Sequence, residues 1–240
     1  AVAAQAHHSL TRELIQSLCS ALAADLTARL EGIAADPHLE VRLATAYREV
    51  YPTTQDIMDR KVAEYAARPG SPVVKHVVVP VDFDGQLGGR CLGVPVPSTK
   101  GRALNWALGY IDGRSTWCGF YDAESRPDAR VLLYLAHRVL EARVAGAALP
   151  RIFQGPVFQV RNWYDMGAFC KLASLFTALS HEWHLPVVYR TIPFVGGTNV
   201  FVETKLLFEI GGFDSSTLTE DLELGTRAWL KARAWPEYLP

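Results

Sequence analysis

The sequence has few of the features that mark secreted, zinc-stabilised or nucleic-acid-binding chains. Its 240 residues contain only four cysteines, and no two of them form a Cys-x-x-Cys pair. Neither a disulfide framework nor a local zinc site is therefore indicated, and a reducing, cytoplasmic location is expected. The 24 basic and 25 acidic residues leave a net charge of −1, which excludes a polybasic chain that binds nucleic acid or anionic lipid through its bulk charge.

Long apolar segments are also missing. No run reaches the roughly 18 residues that span a bilayer, since charged side chains interrupt the nearest one, residues 131–149. The first ten residues lack the basic and apolar regions of a signal peptide. Because the chain begins without Met and ends directly after Trp235-Pro236-Glu237-Tyr238-Leu239, we expect it to be a piece of a longer chain.

What the sequence does contain is a regular alternation of strand and helix patterns. Leucines recur every four residues from Leu10 to Leu30, which predicts an amphipathic helical segment within residues 1–38. This segment covers its own domain or docks on an absent membrane portion. Residues 39–240 form the second predicted domain, an α/β fold with a mostly parallel central sheet flanked by helices. Predicted strands are 41–47, 73–81, 91–96, 117–121, 152–160 and 187–191, and helices fill most of the intervals.

The clearest candidate site is Asp122-Ala123-Glu124, directly after the predicted strand 117–121. Residues i and i+2 of an extended segment point to the same side, so the carboxylates of Asp122 and Glu124 can converge. Two close carboxylates favour a cation between them, and Mg²⁺ or Mn²⁺ suits oxygen ligands. The alternative is a polar turn before the next helix.

A second candidate is Thr219-Glu220-Asp221, at the start of the predicted helix 221–231. Acidic groups in a first helical turn are stabilised by the helix dipole, which is one complete explanation. The other makes Asp221 a general base aimed into a cleft. The segment Gly196-Gly197-Thr198-Asn199 is predicted to end a strand, with its backbone against a sugar.

Two further polar segments precede these. Lys100 and Arg102 lie at a loop-to-helix junction, which suits an anionic ligand or is simply a solvated basic turn. Asp82 and Asp84 follow the predicted strand 73–81 and either contact a nucleotide or begin a turn.

Other residues carry weaker signals. His181 and His184 are expected to be a packed or surface pair rather than metal ligands, and Cys118 and Cys170 to be inert core thiols. Trp163 is the tryptophan best placed to stack on an acceptor sugar.

Taken in order, these motifs resemble the family 2 glycosyltransferases with the GT-A fold, particularly their cellulose-synthase-like and hyaluronan-synthase-like membrane branch. The resemblance covers roughly residues 41–235. The motifs that carry it are Arg48-Glu49, Asp82 with Asp84, Lys100-Gly101-Arg102-Ala103-Leu104-Asn105, Asp122-Ala123-Glu124, Gly196-Gly197-Thr198-Asn199, Gly211-Gly212-Phe213-Asp214 and Thr219-Glu220-Asp221.

The resemblance implies a metal-dependent, inverting transfer from a nucleotide-diphospho-sugar, with UDP as the expected nucleotide, to a saccharide or lipid-linked acceptor. It assigns Asp221 as the catalytic base and Asp122 with Glu124 to Mg²⁺ or Mn²⁺. The residues that it assigns to binding of the donor nucleotide are Glu49, Asp82, Asp84, Lys100 and Asp122. Those that it assigns to binding of the acceptor are Gly197, Thr198, Glu220 and Trp163.

The chain also departs from the family pattern. The usual Asp-x-Asp is Asp122-Ala123-Glu124 here, Arg48-Glu49 replaces Asn-Glu, and the Gln-x-x-Arg-Trp motif of processive members is missing. Polysaccharide synthesis at the cytoplasmic face of a membrane is therefore expected only if further segments exist. A nucleotidyltransferase acting on sugar phosphates and a non-catalytic sugar-nucleotide-binding module are the alternative functions.

Overall fold

The structure, a computed structural model, describes residues 42–47, 52–123, 125–158, 162–188 and 190–239. The chain divides into two compact units, Ala1–Leu39 with Arg126–Leu149 and Glu40–Ser125 with Pro150–Pro240. The predicted N-terminal helix lies outside the described residues. The proposed division into residues 1–38 and 39–240 stays a prediction.

The helices and strands follow one another as in a mixed α/β protein. In chain order they are β1 (Arg42–Tyr47), α1 (Pro52–Ala66), β2 (Val73–Val78), α2 (Lys100–Leu108), β3 (Trp117–Phe120), α3 (Val131–Ala145), β4 (Ile152–Gln154), α4 (Ala168–Leu179), α5 (Leu185–Val188), β5 (Val200–Glu203), α6 (Thr204–Ile210), α7 (Glu220–Ala232) and β6 (Pro236–Tyr238). A 3₁₀ turn at Trp163–Asp165 precedes α4, and a π-helical turn at Ser180–His184 follows it. None of the described helices is long and apolar enough to cross a membrane.

In the first unit, the described part is the segment that contains α3. The Asp128 carboxylate accepts the backbone N–H of Arg130 at 2.8 Å, just before the helix begins. The helix ends at Gly146, whose left-handed φ of 62° is easily adopted only by glycine.

The second unit contains two sheets, and their pairing corrects the prediction of a mostly parallel sheet. β1 and β2 form a parallel pair. The larger sheet has the strand order β3-β5-β4-β6, in which β5 runs antiparallel to both of its neighbours while β4 and β6 are parallel. The sequence pattern predicts a strand that ends at residues 196–199 and a helix that begins at Glu203, so it assigns residues 200–202 to no element and β5 was not recognised as a strand.

The direction of β5 explains why distant segments meet. Phe120 at the end of β3 and Gln154 at the end of β4 both pair with Val200, the first residue of β5. The carboxyl ends of β3 and β4 therefore lie at the same edge as the loop that enters β5. Residues 196–199, predicted to end a strand, instead lead into one.

The same sheet carries the main apolar core. Its β5 residues are buried on both faces, and α6 and α7 supply five of the other residues of the core cluster. The core cluster consists of Leu108, Cys118, Ile152, Val195, Val200, Val202, Leu206, Leu207, Ile210, Phe213, Leu224, Ala228 and Ala234. Burial of these apolar side chains stabilises β3, β4 and β5, and the polar residues of the candidate site lie at the ends of these strands.

Two predicted strands are absent from the described part of the chain. Residues 91–96 contribute only an isolated bridge between Cys91 and Phe83, and α5 occupies Leu185–Val188, where a strand was predicted. The predicted strand 152–160 ends at Gln154, because Gly155 and Pro156 follow.

Candidate active site

The loop that enters β5, residues 196–199, is held by hydrogen bonds to the buried side-chain amide of Gln154. Gln154, 1% exposed, donates from Nε2 to the carbonyl oxygen of Thr198 at 2.9 Å and accepts the N–H of Gly196 on Oε1 at 2.8 Å. Asn199 adopts a positive φ of 52° and donates from Nδ2 to the Pro156 carbonyl at 2.9 Å. These bonds fix the path of residues 196–199.

Asp122 lies beside this loop and is paired with Lys100. Its backbone N–H donates to Thr198 Oγ1 at 3.0 Å, and its Oδ1 accepts from Lys100 Nζ at 2.5 Å. Ser125 Oγ lies 2.9 Å from the same Thr198 oxygen. The end of β3 is thus attached to the loop before β5, with one carboxylate oxygen facing an ammonium.

Asp221 reaches the same loop from the first turn of α7. Its Oδ2 accepts the backbone N–H of Gly197 at 2.7 Å, and its Oδ1 accepts the N–H of Leu222 at 2.8 Å. The carbonyl oxygen of Gly197 accepts from Lys100 Nζ at 2.9 Å. One peptide residue, Gly197, therefore separates the predicted base from the Lys100–Asp122 pair.

Glu220, the first residue of α7, adds a buried carboxyl group to the cluster formed by Lys100, Asp122, Gly197 and Asp221. Only 5% of the residue is exposed, and Oε1 lies 3.9 Å from Lys100 Nζ. Burial raises the pKa of the Glu220 carboxyl above its usual value, and the carboxylates of Asp221 and Asp122 raise it further, against the opposing charge of Lys100. Asp122 and Glu220 thus both lie within ion-pair distance of Lys100.

Lys100 is the only member of its motif that faces this cluster. Arg102, 3% exposed, donates from Nε to the carbonyl oxygen of Phe83 at 2.8 Å and from its terminal nitrogen to that of Pro80. Arg102 therefore supports the fold, and its expected role in binding an anion is not supported. Lys100 begins α2, where the Thr99 side chain caps the helix by accepting the N–H of Arg102.

Asn105 and Gly101 fix α2 against the segment before α7. Asn105 Nδ2 donates to the carbonyl oxygens of Gly85 and Phe213, and its Oδ1 accepts the Phe213 N–H, each at 2.7 Å. A Cβ at Gly101 would lie 2.5 Å from the Asp214 carbonyl oxygen, so only glycine fits. The motif at 100–105 therefore holds Lys100 in place through its other residues.

The carboxylates of Asp82 and Asp84 build a loop. Asp82 Oδ2 accepts the N–H of Gly93 at 3.0 Å, and the two oxygens of Asp84 accept those of Gln86 and Arg90 at 3.0 and 3.1 Å. These backbone donors lower the pKa of both carboxyl groups. The turn-forming alternative is realised, and contact with a nucleotide stays a prediction.

Three of the predicted site residues are not part of the cluster as far as the structure describes it. Glu49 and Glu124 lie outside the described residues. Trp163 lies in the 3₁₀ turn before α4, and no hydrogen bond or ion pair described for the cluster includes it. Cys118 is buried as predicted, whereas Cys170 is exposed on α4, so its prediction as a core thiol was wrong.

His181 uses a ring nitrogen within the fold. Its Nδ1 accepts the backbone N–H of Val157 at 3.3 Å, which agrees with the expected packed role. Burial lowers the pKa of its imidazole.

The sequence pattern did not predict two residues that hold the loop at 196–199, Gln154 and Tyr121. Gln154 has one available signal, since it is a polar residue between the apolar pair Ile152-Phe153 and the chain-turning pair Gly155-Pro156. Tyr121 donates to Asn199 Oδ1 at 2.9 Å, and burial raises the pKa of its phenol to about 12. Nothing in the local sequence of Tyr121 distinguishes it from a core aromatic residue.

The described residues could bind a divalent cation only if a bound ligand supplied further oxygen atoms. The Asp122 carboxylate and the Gly197 carbonyl already hold one cation, the Lys100 ammonium, and they are hard oxygen donors of the kind that Mg²⁺ and Mn²⁺ prefer. Across the described ranges, no three His, Cys, Asp or Glu side chains are grouped to hold a metal by themselves. Oxygen atoms of a bound diphosphate would complete such a site.

A loop that connects a Lys–Asp ion pair with a second carboxylate at a helix start is a site suited to group transfer. Residues 117–235, just under half of the chain, match the family model described as Glycosyl transferase family group 2. The match supports the family 2 glycosyltransferases as the class, with the GT-A fold and a sugar-transferase role. It includes Asp122, Gly197 and Asp221 but not Lys100. No match was found among curated proteins.

Proposed function

We propose that the protein is an inverting glycosyltransferase that moves a sugar from a nucleotide-diphospho-sugar, with UDP as the nucleotide, to an acceptor hydroxyl. The observation that carries this proposal is the shared Gly197 contact. It brings Asp221 within one peptide of the Lys100–Asp122 pair. A base and a cationic anchor for a diphosphate are therefore adjacent, as such a transfer needs.

In this reaction the acceptor oxygen attacks the anomeric carbon from the face opposite the diphosphate. Asp221 takes the hydroxyl proton, the new carbon–oxygen bond forms, and the bond to the diphosphate breaks with its electron pair leaving on the phosphate oxygen. Backbone N–H groups of Gly197 and Leu222 hold the Asp221 carboxylate in place for this step. A carboxylate base contributes about 10²- to 10⁴-fold in rate.

The leaving diphosphate needs positive charge nearby. Lys100 supplies one charge, and we assign Asp122 with Glu124 to Mg²⁺ or Mn²⁺, which would neutralise the leaving group when bound. Gly197, Thr198, Glu220 and Trp163 remain the proposed acceptor side. Thr198 already uses its hydroxyl, its backbone N–H and its carbonyl oxygen within the fold, so a sugar would contact it in addition to these bonds.

Finer features are proposed from the family resemblance alone. They are transfer of a hexose, a role in polysaccharide synthesis, and work at the cytoplasmic face of a membrane. Fractionation of cells that express the full reading frame tests the membrane location. Recovery of all activity in the soluble fraction would contradict it.

The central experiment replaces the base. Purified protein is screened against a panel of nucleotide sugars by thermal shift with Mn²⁺ present, and the donor that binds is used in a transfer assay. Asp221→Asn should lower turnover by at least about 10²-fold while donor binding survives. Asp56→Asn, at an exposed position on α1, is the matched control.

Three results would contradict the proposal. Full activity of Asp221→Asn would reject the base. Release of pyrophosphate from a nucleoside triphosphate and a sugar phosphate would favour a nucleotidyltransferase. Binding of UDP by the unaltered chain without transfer or hydrolysis would favour a binding module.

A further inference from the structure

We infer that Lys100 is a built-in counter-cation that makes binding of a divalent ion depend on the nucleotide. Its ammonium is paired with the Asp122 carboxylate, and it would leave this carboxylate only when a diphosphate offers it another anion. This inference rests on the proposed function, because it takes the diphosphate and the metal as ligands of the same site.

The geometry places the ammonium where a metal would compete with it. Lys100 Nζ lies 2.5 Å from Asp122 Oδ1, 2.9 Å from the Gly197 carbonyl oxygen and 3.9 Å from Glu220 Oε1. An ammonium has three donors, and these oxygen atoms surround it on several sides. A divalent ion on the same Asp122 oxygen would face a positive charge at close range, which opposes its binding.

The Lys100 side chain is partly exposed to solvent, whereas the Lys100 backbone is held in the first turn of α2. The Thr99 cap and the tight fit of Gly101 against Asp214 fix the first turn of α2. The Lys100 side chain is 36% exposed, so its pair with Asp122 is partly screened by water and can exchange partners. Lysine suits this role, since its charge sits at the end of a flexible four-carbon stem.

The nucleotide provides the compensation that free metal lacks. A diphosphate gives the displaced ammonium a new anion and supplies oxygen ligands that the described residues do not provide in sufficient number. Metal and nucleotide should therefore strengthen each other's binding. Because such coupling is reciprocal, UDP raises the affinity for Mn²⁺ by the same factor as Mn²⁺ raises the affinity for UDP.

The test measures metal binding rather than activity. Free Mn²⁺ is titrated by electron paramagnetic resonance against the full chain, with and without UDP. The proteins are the unaltered chain, Lys100→Met, Lys100→Gln and the control Lys205→Met, which alters an exposed lysine on α6. Lys100→Gln provides a second neutral variant in case Lys100→Met does not fold.

The unaltered chain and Lys205→Met should bind Mn²⁺ weakly alone and at least about tenfold more tightly with UDP. Either neutral Lys100 variant should bind Mn²⁺ about tenfold more tightly without UDP, and most of the gain from UDP should vanish. Unchanged Mn²⁺ affinity in the Lys100 variants, while the unaltered chain still shows the UDP effect, would overturn this inference alone. Absence of any Mn²⁺ and UDP binding by the unaltered chain would overturn the proposed function as well.

Discussion

Gly197 connects the two sides of the site through its own backbone, and its lack of a side chain is what makes this possible. Its N–H binds Asp221 and its carbonyl binds Lys100. A Cβ at this position would lie 2.9 Å from Asp221 Oδ2 and 3.0 Å from Lys100 Nζ. The glycine is required for close approach of functional side chains, since its φ is not in the left-handed region.

Gly197→Ala should therefore impair transfer without unfolding the chain. Displacement of Asp221 and Lys100 by a fraction of an ångström to an ångström is expected to lower turnover by up to about 10²-fold. Steady-state kinetics checks this, with thermal unfolding as the folding measure. The control is Gly113→Ala, where a Cβ meets nothing within 4 Å. Equal turnover in both variants would show that close approach at Gly197 has no functional value.

Glu220 makes the stability of the fold depend on pH. Its pKa in the folded chain is raised above the ordinary value of 4.5, mainly by burial. The folded chain therefore retains the proton longer than the unfolded chain does. Its contribution to the free energy of unfolding falls as pH rises from about 4.5 through the raised pKa.

Glu220→Gln should remove this decline. Denaturant unfolding at a series of pH values from about 4 to 8 measures it, and the variant should gain stability relative to the unaltered chain as pH rises. Glu182→Gln, at an exposed position, should leave the slope unchanged. Parallel curves for Glu220→Gln and the unaltered chain would contradict the raised pKa.

Helix α7 positions Asp221, the proposed base, through a glycine on the same face. Asp221 and Gly225 are four residues apart and so lie one above the other on the helix. A Cβ at Gly225 would collide with the Pro193 carbonyl oxygen and lie 3.0 Å from Val195 Cγ2. Gly225 thus lets α7 pack closely on the segment that leads to Gly197, which brings Asp221 within reach.

Gly225→Ala should reverse the usual effect of this substitution. In an ordinary helix interior, alanine is more favourable than glycine by about 1 kcal/mol. Here the collision should lower the melting temperature and also reduce turnover, because α7 must move away from the loop before β5. Thr226→Ala, on the exposed side of α7, is the comparison. A higher melting temperature with unchanged turnover would contradict the packing argument.

The reactivity of Cys118 and Cys170 towards an alkylating agent can show whether the larger sheet is folded. Burial raises the pKa of the Cys118 thiol to about 11, and its sulfur lies 3.2 Å from Thr204 Oγ1 between β3 and α6. Cys170 is exposed. At pH 8 in native buffer, alkylation followed by mass spectrometry should modify Cys170 and leave Cys118 intact until the chain unfolds. Rapid modification of Cys118 without denaturant would show that β3 opens locally.

Across the molecule, the sequence predicted which residues lie together at the candidate site better than the topology that brings them there. Asp122 stands out directly after an apolar run, Lys100 at a loop-to-helix junction and Asp221 in the first turn of a predicted helix. The antiparallel β5 was missed because the segment from Val200 continues without a break into the apolar pattern of α6. Long-range partners such as Gln154 with Gly196 depend on that strand, and no local pattern reports them.

The same distinction separates functional from supporting polar residues. Lys100, Arg102 and Asn105 share one motif, yet the last two point into the fold and bind backbone carbonyl groups. Helical spacing alone does not tell which face of α2 meets the loops at Phe83, Gly85 and Phe213. Asp82 and Asp84 likewise hold a loop whose shape depends on contacts several residues away.

The most direct measurement is a calorimetric titration of UDP into the unaltered chain and into Asp122→Asn and Asp221→Asn, each with and without Mn²⁺. If Asp122 and Asp221 divide donor anchoring and base catalysis between them, Mn²⁺ should strengthen UDP binding in the unaltered chain and in Asp221→Asn. That gain should be lost in Asp122→Asn. Loss of the gain in Asp221→Asn alone, or its survival in Asp122→Asn, would contradict this division of roles.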